Sequence, residues 1–134
     1  MKFERFEDLP VWKDSVALAV ELFRMTRDGR FRGLGDIVSH IQRAGLSVSN
    51  NIAEGFERGT TQELITFLYY ARGSASEVRS ILSVVERLGS FGDLKSEISN
   101  LKLKAETISR QIRAWAAILQ DTRIRGQRHL NSQT

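Results

Sequence analysis

Apolar residues recur at intervals of three and four along most of the chain, and polar or glycine-containing stretches reset the recurrence. Between Pro10 and Met25, Trp12, Val16, Ala19 and Phe23 form one helical stripe, predicted to face the core. Pro10 suits a first helical turn, and Asp28-Gly29 supplies a stop. A second helix is predicted from about Asp36 to Glu54, with Ile37, Ile41, Ala44, Val48 and Ile52 inward and Gly55 as its C-terminal cap. Thr60-Thr61-Gln62-Glu63 has the form of a capping box and opens a third helix running to about Leu88. Its inner face reads Leu64, Phe67, Ala71, Val78, Leu82 and Val85, and Gly89 ends it. Ser90 and Asp93 repeat the capping pattern more weakly. The fourth helix then carries Leu94, Ile98, Leu101, Ala105, Ile108, Ile112, Trp115 and Leu119 in an unbroken heptad pattern.

Four amphipathic helices joined by mostly short connections predict an all-α fold, an antiparallel up-down-up-down four-helix bundle. At 134 residues the chain has room for one sizeable core and not for two. A single domain over residues 1–120 is expected, followed by a basic, flexible tail over 121–134 that has little to bury. Two helices carry a further apolar stripe. Val11, Leu18, Leu22 and Met25 lie about 100° from the Trp12 stripe, and Leu103, Ala114 and Ile118 do the same on the fourth helix. Extra apolar surface of this kind marks interfaces, so these residues are predicted to mediate self-association. The other reading is that the bundle packs its own broad stripes.

The stretch NNIAEGFERGTTQE, residues 50 to 63, interrupts this apolar rhythm at the corner between the second and third helices. Arg43, Ser47, Asn51 and Glu54 share one flank of the second helix, and pairing about the corner brings Ser74 and Glu77 opposite them. A structural polar seam is predicted, with Arg43 paired to Glu77 and Asn51 and Glu54 satisfying backbone groups at the corner. Nothing completes a catalytic site there. His40 and His129 have no glutamate three residues earlier, so the Glu-x-x-His pattern of di-metal bundles is missing. Cysteine and a Gly-x-Ser-x-Gly elbow are absent as well, and the glycines of GRFRGLGD lack a phosphate-loop lysine. The chain reads as a non-enzyme without metal or cofactor.

With 41% hydrophobic and 27% charged residues and no cysteine, a soluble protein of a reducing cytoplasm is expected. The longest apolar run, Ala114 to Leu119, is too short for a membrane span. Net charge is +4 and unevenly placed: residues 1–100 hold 13 Lys and Arg against 14 Asp and Glu, and residues 101–134 hold seven against two. Lys95, Lys102, Arg110 and Arg113 fall within about 80° of arc on the fourth helix, and Arg123, Arg125 and Arg128 extend the charge. Such a ridge suits sequence-independent contacts to the phosphates of RNA or DNA. Arg24, Arg27, Arg30 and Arg32 form a second basic set across the first connection. The alternative is a protein-protein interaction scaffold with incidental positive charge and no nucleic-acid binding.

The segments LPVW, GLGDIVSHIQRAGLSVSNNIAEGFERG, FLYYARGSASEV and ERLG, in this order and spacing, resemble the bacterial four-helix bundle proteins known as 23S rRNA intervening sequence proteins. The resemblance covers about residues 6 to 119. Gly45 departs from the alanine usual in that family, and RFRGLGD stands where a Pro-x-x-Glu element is common. What the resemblance implies is a homopentameric barrel of up-down bundles. A distantly related branch, the accessory variability determinants of diversity-generating retroelements, is similar to a basic pentamer that binds nucleic acid and a reverse transcriptase.

Overall fold

The structure, a computed structural model, describes residues 3–89 and 91–124, the side chains of Arg123 and Ile124 excepted. Among these residues the fold is all-α. Helix α1 spans Pro10–Met25, α2 Gly35–Phe56, α3 Thr61–Arg87 and α4 Lys95–Ile124, with single 3-10 turns at Phe6–Asp8, Gly29–Phe31 and Gly92–Leu94. No strand is present among the described residues.

All four helices feed one apolar core. The heptad positions of α4 are its spine: Ile98, Leu101, Ala105, Ile108, Ile112, Trp115 and Leu119 are all buried. Interhelical polar pairs fix how the helices lie. Along α4, Lys102 meets Glu86 and Gln120 meets Tyr69 of α3, while Lys104 meets Glu21 and Gln111 meets Asp14 of α1. Rising numbers on α4 thus meet falling numbers on both neighbours. The α2–α3 pairs His40–Glu77 and Ser47–Ser74 follow the same trend.

The stripes of α1 reverse the sequence expectation except at Ala19, which is buried as expected. Val11, Leu18, Leu22 and Met25 are buried inside the chain, whereas Trp12, Val16 and Phe23 are only half-buried. Ser15 completes the buried stripe because its hydroxyl donates to the carbonyl of Val11 at 2.7 Å, which lets a polar residue enter the core without an unpaired group. The predicted interface role of Val11, Leu18, Leu22 and Met25 is therefore corrected: those side chains are spent on the core.

Local signals hold at the α3 boundaries. Thr60 Oγ1 accepts from the Glu63 N–H at 3.1 Å, the first half of a capping box, and its hydroxyl donates to Glu63 Oε1 at 2.9 Å, so the carboxylate reaches back to the Thr60 side chain in place of its backbone N–H. Gly89 takes φ +79°, a left-handed conformation in which side chains are strained, just past the helix end. Gly55, in contrast, is no cap. The α2 helix continues through it to Phe56, and Gly55 is buried where α2 approaches α3. At the opposite end, Phe31 and Phe91 pack as tilted rings with centroids 4.7 Å apart, and Arg30 bridges Asp28 and Asp93, tying the first connection to the last. The α4 helix runs past the predicted tail boundary to Ile124. Ser90 and residues 125–134 lie outside the described residues.

Candidate nucleic-acid interface

Lys95, Lys102, Lys104, Arg110 and Arg113 lie where the α4 heptad turns away from the core. The four predicted basic residues nevertheless differ in what they are free to do. Lys102 Nζ donates to Glu86 Oε1 at 3.0 Å, both side chains being half-buried, and Arg110 donates to Glu106 Oε2 at 2.9 Å one turn earlier. Lys95 and Arg113 are exposed and have no acidic partner among the described residues. Arg123 lies in the last turn of α4 with its side chain outside the described residues, as are Arg125 and Arg128 entirely. A cation not singled out from sequence joins the ridge. Arg79 of α3 lines a surface depression together with Ser99, Lys102 and Glu106, and it has no ion pair among the described residues. Its signal was its position on the α4-facing flank of α3, seven residues before Glu86.

The polar seam between α2 and α3 exists with different partners. Ser74 donates to Ser47 Oγ at 2.8 Å, and Asn51 Nδ2 reaches both Ser47 Oγ and the Ser47 carbonyl. Glu77 pairs with His40 at 3.0 Å and not with Arg43. The reason is angular: His40, Ser47 and Asn51 look toward α3, whereas Arg43 lies about 60° farther out at 100° per residue and is exposed without a partner among the described residues. Glu54 pairs with Arg58 at 3.0 Å instead of a backbone group. Arg58 in turn sits over the Phe67 ring, 4.8 Å from its centroid, so the predicted core residue Phe67 is half-buried under a cation. These contacts lock a corner. Among the described residues no three His, Cys, Asp or Glu side chains come together as a metal site, and no helix is long and apolar enough to cross a membrane.

A groove between α1 and α2 takes up the apolar residues that the core leaves out. Trp12, Val16, Val20 and Phe23 line it from α1 and Leu46 from α2, with Arg24 and Arg27 at one end. Val20 is 41% exposed and Leu46 43%. On α4, Leu103, Ala114 and Ile118 remain exposed as their second-stripe position predicts.

The family model of the 23S rRNA-intervening sequence protein matches residues 7–114. The chain belongs to the 23S rRNA-intervening sequence protein family. No curated protein is found to match it. The family match takes in α1, α2, α3 and the first two-thirds of α4, and with them the α2–α3 corner, the α1–α2 groove, Lys95, Lys102, Arg110 and Arg113. In this member of the family, Gly45 faces Leu22 so closely that an alanine Cβ would lie 2.8 Å from Leu22 Cδ1.

Proposed function

We propose that this family member is a non-enzymatic, self-associating protein that binds the phosphate backbone of RNA or DNA through α4 and the adjoining edge of α3. The observation that carries the reading is the set of cations left without carboxylate partners on that edge, Lys95 and Arg113 of α4 and Arg79 of α3. Free cations release counterions when they meet phosphates, which makes binding strong at low salt and indifferent to sequence. The rising-against-falling order of the interhelical pairs supports an antiparallel up-down-up-down bundle as the scaffold. A cysteine-free chain of this composition suits the cytoplasm.

The test is fluorescence anisotropy of a labelled structured RNA and a labelled DNA duplex at two salt concentrations. Binding should weaken with salt by about 0.9 in log-log slope per phosphate contact. Lys95→Glu with Arg113→Glu should weaken it further at every salt. Lys102 is a poor choice for charge reversal, because a glutamate there would face Glu86. Absence of binding to either probe near physiological salt would overturn the reading in favour of a protein-binding scaffold.

Self-association moves to a different surface from the one expected on α1. The half-open groove of Trp12, Val16, Val20 and Phe23, with exposed Leu103 and Ile118 elsewhere on the chain, supports copies packing head to tail, an arrangement that forms a ring where the rotation between copies closes. A homopentamer, five times 15.2 kDa, has a mass of about 76 kDa. Light scattering should find that mass for the wild type and a lower one for Val20→Glu; a monomer peak for the wild type refutes assembly.

A further inference from the structure

Between α3 and α4 runs a polar stripe whose two ends are closed and whose middle is open. At one end Lys102 is tied to Glu86 at 3.0 Å, and at the other the Gln120 amide donates to the Tyr69 hydroxyl at 2.7 Å. Between these clamps the α4-facing flank of α3 carries Arg72, Ser76 and Arg79, at steps of four and three residues. The facing flank of α4 carries Glu106, Ser109 and Arg113, at steps of three and four residues. Interpolating between the two clamps sets Arg79 level with Ser109 and Ser76 level with Arg113, with Arg72 in the next turn.

This middle section holds three guanidinium groups and two hydroxyls against a single carboxylate, that of Glu106, which lines the same depression as Arg79. The nearest acids are already engaged, Glu86 by Lys102 and Glu106 by Arg110. Arg72, Arg79 and Arg113 have no ion pair among the described residues, and the Nε of Arg72 is buried with no acceptor. A buried unpaired N–H is costly, and cations gathered on one seam repel one another. Both penalties are relieved by one kind of ligand: a tetrahedral oxyanion whose oxygens accept from the guanidinium forks and the serine hydroxyls.

The geometry points to a phosphate-binding site in the α3–α4 seam, formed by Arg72, Ser76, Arg79, Ser109 and Arg113. It deepens the nucleic-acid reading by giving the backbone a defined seat on α3, but it requires only a phosphate group, which a phosphodiester or free phosphate supplies equally.

The experiment has two arms. Thermal unfolding is followed with inorganic phosphate against sodium chloride of equal ionic strength, and RNA anisotropy is run on the same proteins. The proteins are the wild type, Arg72→Gln, Arg79→Gln, Arg113→Gln and, as a control cation outside the seam, Lys13→Gln. Phosphate should raise the wild-type melting temperature above the chloride value, and each seam variant should lose that increment while Lys13→Gln keeps it. Should Arg72→Gln fail to fold, the exposed Arg113→Gln decides the matter. In the RNA arm each seam variant should lower the log-log salt slope by about 0.9. A phosphate increment lost in the seam variants, with no RNA binding by the wild type, upholds the seam as a site for free phosphate and overturns the nucleic-acid reading. Salt-dependent RNA binding that the seam variants leave intact, with no phosphate increment, overturns the seam and leaves the reading to Lys95 and the rest of α4.

Discussion

Replacing Gly55 by alanine should destabilise the protein even though it removes a glycine from a helix. Gly55 lies inside α2, where glycine costs about 1 kcal/mol relative to alanine, so propensity alone argues for a gain. The added Cβ would, however, lie 2.7 Å from Phe67 Cβ, 3.2 Å from Leu64 Cδ1 and 3.4 Å from the Leu64 carbonyl oxygen. Phe67 Cβ is rigidly attached to the α3 backbone, so relief requires the two helices to part. Overpacking that shifts backbone costs about 1–3 kcal/mol, and a fixed neighbour places this case in the upper half of that range. After subtracting the propensity gain, a net loss of about 1–2 kcal/mol remains, or roughly 4–8 °C in melting temperature for a domain of this size. Gly45→Ala is the internal control. Its Cβ meets Leu22 Cδ1 at 2.8 Å, but that atom is the far end of a flexible side chain, and Ala19 Cα stands back at 3.7 Å. A rotamer adjustment of Leu22 costs about 0.5–1.5 kcal/mol, close to the propensity gain, so this variant should melt within a few degrees of wild type. Thermal unfolding by circular dichroism measures both. A Gly55→Ala protein at least as stable as wild type, or a Gly45→Ala protein equally damaged, would refute the distinction between rigid and flexible neighbours.

Two further outcomes are expected. Thr60→Ala removes the acceptor for the Glu63 N–H and should cost about 1 kcal/mol in denaturant unfolding, most of it restored by Thr60→Ser. The side-chain hydrogen bonds from Arg30, with its backbone N–H and charge, hold the Asp28 carboxyl at about 2, below its usual 3.8. A lowered folded-state value means a contribution present above about pH 4 and lost as pH falls toward 2, so the melting temperature of Asp28→Asn should decline less than that of wild type across that window.

The helices were legible because their signals were local. From Ile98 to Leu119 the α4 heptad reads the same in sequence and structure, with Leu94 half-buried in the 3-10 turn before the helix, and Thr60 caps the Glu63 N–H as its spacing requires. On α1 two apolar stripes competed, and a serine decided between them. Ser15 breaks the Val11–Leu18–Leu22–Met25 stripe on a hydropathy count but not in three dimensions, since its hydroxyl returns to its own helix. Gly55 resembled a cap because glycine after a helical pattern usually is one; its need for close approach to Phe67 belongs to a tertiary contact. The candidate interface was half legible. Positions on α4 followed from the heptad, but whether a given cation was free depended on acids from elsewhere, Glu86 on α3 for Lys102 and Glu21 on α1 for Lys104. Arg72 and Arg79 went unnoticed because a positive charge on α3 looks unremarkable until α4 is laid beside it.

The polar pairs on either side of α4 also set where the chain can tolerate insertions and deletions. Lys102 and Gln120 are keyed to α3, and Lys104 and Gln111 to α1, so one added residue between positions 104 and 111 would rotate everything beyond it by about 100°. The Gln111 and Gln120 bridges would be lost together, and Trp115 would swing out of the core. Among the described residues, positions 32–33 and 88–89 make no side-chain bridge to another helix. Length variation among natural relatives should therefore collect in those two connections, while α4 keeps a fixed residue count from Lys102 to Gln120.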